Sequence, residues 1–252
     1  MSQVIDDPKP PYARPPITEA VIAVHFASPL PMKWLETFAA KNKKIYPSIE
    51  ELNSVSANFD IQTNKFASGA KRPIGRRMFS DDRSRAIMFF ETQMSLCHLA
   101  PYARWGDLYA DAQKAWASLR KIAKQIPVSF VSTRYINRID IPSGSHLPLR
   151  LDEYFRLGVS LPADLEMFSL ETFHVQFSAS RPDKNCRCTV HFAASPDVLI
   201  DQRSFWLDID CVSTGVSPIS DAEMWERITA LRQQKNEVFE ACITPVTRRL
   251  FQ

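Results

Sequence analysis

The amino-acid sequence predicts an α+β protein, a mainly antiparallel sheet with helices on one face, made by using a strand–helix–three-strand–helix unit twice in tandem. Three observations carry this. Apolar residues alternate over some stretches and recur at helical spacing over others. The same order of stretches occurs in both halves. The leading stretches also align, TEAVIAVHF (18–26) over TRYINRIDI (133–141), which sets Ala20, Ile22, Val24 and Phe26 over Tyr135, Asn137, Ile139 and Ile141. The expected division is a Pro-rich extended arm over 1–16, a first repeat over 17–127 and a second over 128–252. The repeats are expected to pack around a pseudo-twofold axis as one domain.

The arm is marked by PKPPYARPP (8–16), whose five prolines favour an extended segment outside the core. Strand 18–26 alternates strictly, with Glu19 and His25 opposite its apolar set. Pro31 opens a helix with Trp34, Leu35, Phe38 and Ile45 at helical spacing, closed before Pro47. NSVSANFDIQT (53–63) reads as a strand with Val55, Ala57, Phe59 and Ile61 inward. Strands near 74–80 and 84–91 follow, with a further one at 94–99. A long amphipathic helix then runs from Trp105 to Ile126 and stops at Pro127.

The second half begins with strand 128–141 and a short helix over 151–157. FSLETFHVQFSAS (168–180) sets Phe173, Val175, Phe177 and Ala179 on one face. CRCTVHFA (186–193) does the same for Cys186, Cys188, Val190 and Phe192, and SFWLDIDC (204–211) for Phe205, Leu207, Ile209 and Cys211. Ser220 and Glu223 form a capping box for a long helix with Met224, Ile228, Leu231 and Val238 as its stripe. Thr244-Pro245 caps and opens a last short helix.

Composition excludes several classes. No apolar run approaches the ~20 residues that span a bilayer, and the first residues lack a signal peptide's apolar core. Five cysteines at irregular spacing fit a reducing compartment, so a cytoplasmic location and no membrane partner are expected. The six glycines form no phosphate-cradling pattern, which disfavours the common nucleotide-binding folds. A net charge of +3 does not by itself point to nucleic acid.

PPITEAVIAVHF (15–26), RYINRIDIP (134–142) and FEACITPVTRRLF (239–251) together resemble a sporadically distributed family of uncharacterised bacterial proteins of about 250 residues. The resemblance spans the chain. It implies no activity and no site residues, and its patchy distribution implies mobile or defence-linked gene neighbourhoods. The order of elements is also similar to the duplicated units of gyrase-inhibitor-like, small-molecule-sensing regulators, a fold-level analogy only.

Candidate chemistry is sparse. Cys186-x-Cys188-x-x-His191 is too tightly spaced for a zinc pair, and strand parity turns His191 away from both cysteines. Cys186, Cys188 and Cys211 are therefore expected to be buried, without metal or disulfide, and no cofactor is expected. No nucleophile elbow occurs and no cysteine sits beside a base in a recognisable context, which leaves only a cysteine–histidine site assembled from distant positions as a catalytic option. KRPIGRRMFSDDRSR (71–85) reads as a connection between strands, and Lys71, Arg72, Arg76 and Arg77 on it form the candidate anion or nucleic-acid site. In the second half, parity collects Arg134, Arg138, Asp140, His174, Arg187, His191, Trp206, Asp208 and Asp210 on the face opposite the apolar set. These residues are a candidate ligand face. Read otherwise, they are a solvated face stitched by ion pairs, with Arg134 and Arg138 expected to meet Glu19 or Asp140.

The resulting expectation is a non-catalytic binding or regulatory module acting through a protein partner, and a homo-oligomer is compatible with it. Two alternatives stand beside it. One is a nucleic-acid-binding protein using the 71–85 stretch, and the other a small-molecule sensor or enzyme using the second-half face.

Overall fold

Strict alternation in the leading segment gives β1 (Ile17–Phe26), whose Ala20, Ile22, Val24 and Phe26 are all buried. It stands at the centre of the molecule. A computed structural model describes residues 12–60, 65–142, 150–158, 162, 164, 172–195 and 202–252, the side chains of 56–60, 65–68 and 70 excepted. After β1 come α1 (Met32–Asn42), β2 (Ser48–Asp60), β3 (Lys65–Phe79), β4 (Arg85–Phe90), β5 (Gln93–Leu99) and α2 (Trp105–Arg120). The second half supplies β6 (Val128–Pro142), α3 (Leu151–Tyr154), β7 (His174–Arg181), β8 (Cys186–Ser195), β9 (Gln202–Ser213), α4 (Asp221–Cys242) and α5 (Pro245–Arg249). Among the described residues the strands form one antiparallel sheet in the order β2-β3-β4-β5-β1-β6-β9-β8-β7.

The central pairing joins the two leading strands, with Ala20 beside Tyr135, Ile22 beside Thr133 and Val24 beside Val131. Their shared parity sends Ile22, Val24, Val131, Tyr135 and Ile139 to one face, where α1 packs on β3, α2 on β5 and β1, and α4 on β6 and β9. Burying aliphatic and aromatic side chains of this size stabilises by about 1.5–3 kcal/mol each. Polar groups on that face are paired: the Asn137 amide donates to the Leu207 carbonyl at 2.9 Å, and the Tyr135 and Tyr102 hydroxyls meet at 3.3 Å. Among the described residues of that face, the buried Thr133 hydroxyl oxygen has no partner.

Several expectations need correction. Four strands follow α1 in the first half, at the four segments read there, so only the three-strand count of the repeating unit fails. β2 and β3 form a long hairpin that reaches past the predicted segments. The strand expected near 74–80 extends back through Pro73 and Lys71, so the stretch around Pro73 and Gly75 lies within β3 and is not a connection. Gly75 serves its pairing instead: a side chain there would sit 2.6 Å from the Phe89 carbonyl oxygen. The true turn is 80–84, where Asp82 accepts from the Ser80 and Ser84 hydroxyls and Arg83 takes a positive φ of 57°. Val55 faces solvent, because register shifts on either side of it break the alternation that made it inward. Phe59 and Ile61 fall outside the described side chains.

Helix α1 ends at Asn42, whose amide donates to the Phe38 carbonyl and to Ser118 of α2, so Ile45 lies beyond it and is exposed. Helix α2 ends at Arg120, leaving Ile122 and Ile126 to pack from the following turn. The caps of α4 and α5 form as expected, with Ser220 accepting from the Glu223 amide and Thr244 from those of Val246 and Thr247. The arm is not wholly outside the core. Tyr12 is buried edge-on against Phe239 and Phe251, and its hydroxyl donates to Glu240.

Candidate functional site

The helix-free face of the second half is built by β6, β9, β8 and β7. Strand alternation brings Arg134 and Arg138 to it, and register decides their partners. Val21 lies across from Arg134, and Glu19 lies across from Ile136. On the other side Arg134 faces Asp210, with Asp208 one pleat along. The guanidinium therefore takes Asp208 in a bidentate pair, Nε to Oδ1 at 2.9 Å and Nη2 to Oδ2 at 2.5 Å, with Glu19 only a distant influence. Arg138 donates from Nε to Asp140 at 2.9 Å and from Nη2 to the Ser204 hydroxyl at 3.1 Å. The expected arginine–carboxylate contacts are present, with Asp140 the expected partner and Asp208 in place of Glu19. These geometries hold β6 to β9.

Two features of this face are not absorbed by stitching. Asp210 has one buried carboxylate oxygen without a partner, and desolvation, opposed by Arg134, raises its pKa. His174 and His191 sit on adjacent strands with rings stacked at 9° and Nε2 3.4 Å from Nδ1. Trp206 is half-buried across from Arg138, and Arg187 is exposed across from Val212. The predicted ligand face is thus gathered on one surface.

The basic stretch is distributed differently. Because β3 is a strand, neighbouring Arg76 and Arg77 point to opposite faces. Arg76 turns to the helix side, keeps only 15% of its side-chain exposure and reaches Glu36 of α1 and Glu51 of β2. Arg77 turns to the helix-free side, pairs with Glu50 at 2.6 Å and, with Arg83, lies over the Phe79 ring. That lid closes a small apolar cluster of Phe79, Ala86 and Cys97 with Val21 and Met88. Lys71 and Arg72 are exposed, and Arg72 meets Glu91 at 3.0 Å.

The cysteines are buried, but the expectation of no disulfide is overturned. Cys188 and Cys211 are direct cross-strand partners with Cα atoms 4.1 Å apart, and they form a disulfide. The Cys186 sulfur lies 3.5 Å from that of Cys188, on the same face two residues earlier. Parity alone showed that the three share a face. Which cysteine stands opposite which depends on the β8–β9 register, which sequence does not fix.

Sequence reading missed two further features. Lys235 of α4 is buried with Nζ 3.7 Å above the Tyr135 ring, and burial, reinforced by Arg232, lowers its pKa to about 7. Its place in the run RQQKNE looks like a solvated helix face, so no local signal marks it. The other is the strand β7, the last on this side of the sheet among the described residues. It carries no charged residue between His174 and Arg181, holds an unbroken register on β8, and leaves Phe177 40% exposed. Among the described residues no helix is long and apolar enough to cross a membrane. No family model matches the chain, and no curated protein sequence matches it either.

Proposed function

We propose that the protein is a non-catalytic binding module that acts through a protein partner, taking an extended segment of that partner alongside β7. The observation that carries this reading is the state of that edge. A sheet edge offers a row of unpaired backbone groups, and proteins ordinarily blunt such rows with charges, prolines or bulges. β7 has none of these over 174–180, and its Phe177 presents an apolar side chain beside the row. Backbone pairing would supply affinity, and alternate side chains the selectivity. A photo-crosslinking residue placed at Gln176 should capture a discrete protein in cells, and Ala179→Lys should abolish the capture. Equal capture from Val55 on the opposite edge, or capture indifferent to Ala179→Lys, overturns the reading.

The same proposal treats the chain as a tandem duplication. It is supported by the strand order, which runs outward as leading strand, last strand and then back along the chain on both sides, β1-β5-β4-β3 and β6-β9-β8-β7. A second reading, a polar small ligand on the helix-free face, is favoured by the unpartnered oxygen of Asp210 beside Arg134 and His191. Thermal stabilisation by a small-molecule library, lost in Asp210→Asn, would support it over the first. The split of Arg76 and Arg77 between two faces gives the nucleic-acid alternative less support than either.

A further inference from the structure

Register on β8 and β9 gathers three sulfurs at one point of the helix-facing side: Cys186 and Cys188 alternate onto it, and Cys211 stands across from Cys188. All three sulfurs lie within 4.8 Å of one another, and among the described residues no histidine or carboxylate completes the group. We propose that the reduced trio is a binding site for one trivalent thiophilic metalloid of the arsenite type, held by three thiolates.

Geometry and charge choose the ligand class. An ion with bonds of about 2.3 Å to sulfur sets its ligand sulfurs roughly 3.5–4 Å apart, and Cys186 and Cys188 already stand at 3.5 Å. Zinc in a structural site takes four protein ligands, and the trio offers three. Monovalent copper suits thiolates but leaves a net charge of two minus with three of them. The site is closed to water: the three cysteines are 2%, 8% and 0% exposed, and Val190 and Ile209 continue the same face at 1% and 0%. Burying uncompensated charge there is costly. Three thiolates on a trivalent ion are neutral. Arg181 stands across from Cys186 at the rim of the sheet.

The chemistry balances. A cellular thiol reduces the Cys188–Cys211 disulfide, two thiol molecules leaving as their own disulfide and each protein sulfur gaining a hydrogen. The three thiols then condense with arsenous acid, three sulfur–arsenic bonds replacing three oxygen–arsenic bonds and three waters leaving. The oxidised protein, with two sulfurs bonded to each other, has no such site. This inference is independent of the partner proposed for β7.

The test uses the full chain, reduced with a phosphine under anaerobic conditions, loaded with sodium arsenite and desalted. One arsenic per chain with three sulfur neighbours in its X-ray absorption spectrum is expected. Cys186→Ala should weaken binding by at least about a hundredfold, since a tethered third ligand is lost, while a Cys97→Ala/Cys242→Ala variant should bind as the unaltered protein does. No retained arsenic, two sulfur neighbours in the unaltered protein, binding indifferent to Cys186→Ala, or displacement by zinc or monovalent copper each overturns the proposal. The sulfur count on the unaltered chain decides even where a cysteine variant fails to fold.

Discussion

On the flank β5-β4-β3-β2, charged side chains tie the helices to the sheet. Arg76 reaches Glu36 of α1, while Arg85 and His98 both reach Asp111 of α2 at 3.3 and 3.2 Å. On the other flank, Arg134 of β6 pairs with Asp208 of β9 and Arg138 with Asp140 within β6, both on the helix-free face. The helix-facing side there is mostly apolar and sulfur-bearing, with Arg181 at the rim of β7 reaching Glu237 of α4 at 3.2 Å. The edges differ in the same sense. β2 carries Glu50 and Glu51 and two register shifts, whereas β7 runs unbroken and uncharged to Arg181. The contrast teaches that the first flank is closed by its own charges and helices. The second is held together from below and leaves its rim available.

The largest expected difference between the flanks comes from reduction. Opening Cys188–Cys211 releases a cross-link between residues 23 apart, worth roughly 3 kcal/mol by loop entropy. Scanning calorimetry with and without a phosphine should show a lowered Tm, and hydrogen exchange should rise in β8 and β9 more than in β4 and β5. Equal loosening of both flanks would break the comparison.

Next comes Lys235, which packs on Tyr135 at the seam. Its folded-state pKa, about 7, lies below the ordinary 10.5, so between these values the unfolded chain holds the extra proton. Stability should therefore rise with pH across that window and carry the full penalty below it. The Tyr135 ring face favours the cation and offsets part of this. Lys235→Met should stabilise by about 2 kcal/mol at pH 6 and flatten the rise above pH 7, as urea titrations at several pH values would show.

Arg134→Ala should cost about 1–2 kcal/mol. This is less than the ~3–5 kcal/mol of a deeply buried pair, because the guanidinium is half exposed while Asp208 is not. A double-mutant cycle with Asp208→Ala measures the pair. A cost near zero would return Arg134 to ligand recognition. The smallest change is Thr133→Val at the centre, where removal of an unpartnered buried hydroxyl should be neutral or stabilise by up to about 1 kcal/mol in thermal melts.

Alternation and helical spacing carry information that a single chain can display, so β1, β6, β8, β9 and the capped start of α4 were legible directly. The gathering of Arg134, His174, His191, Asp208 and Asp210 on one face was equally legible, because parity needs no knowledge of partners. Where a strand carries a register shift or a run of arginines, local pattern misled. The stretch around Pro73 and Gly75 was read as a connection although a strand was expected near 74–80, and Val55 was turned inward.

What the tertiary structure alone decided is pairing. It set Asp208 rather than Glu19 on Arg134, joined Cys188 to Cys211 with Cys186 beside them, placed Lys235 on Tyr135 and left β7 outermost. Each of these depends on which residue of a distant segment stands opposite. A shift of one residue in register exchanges the two faces of a strand, and nothing within the strand itself selects among registers two residues apart.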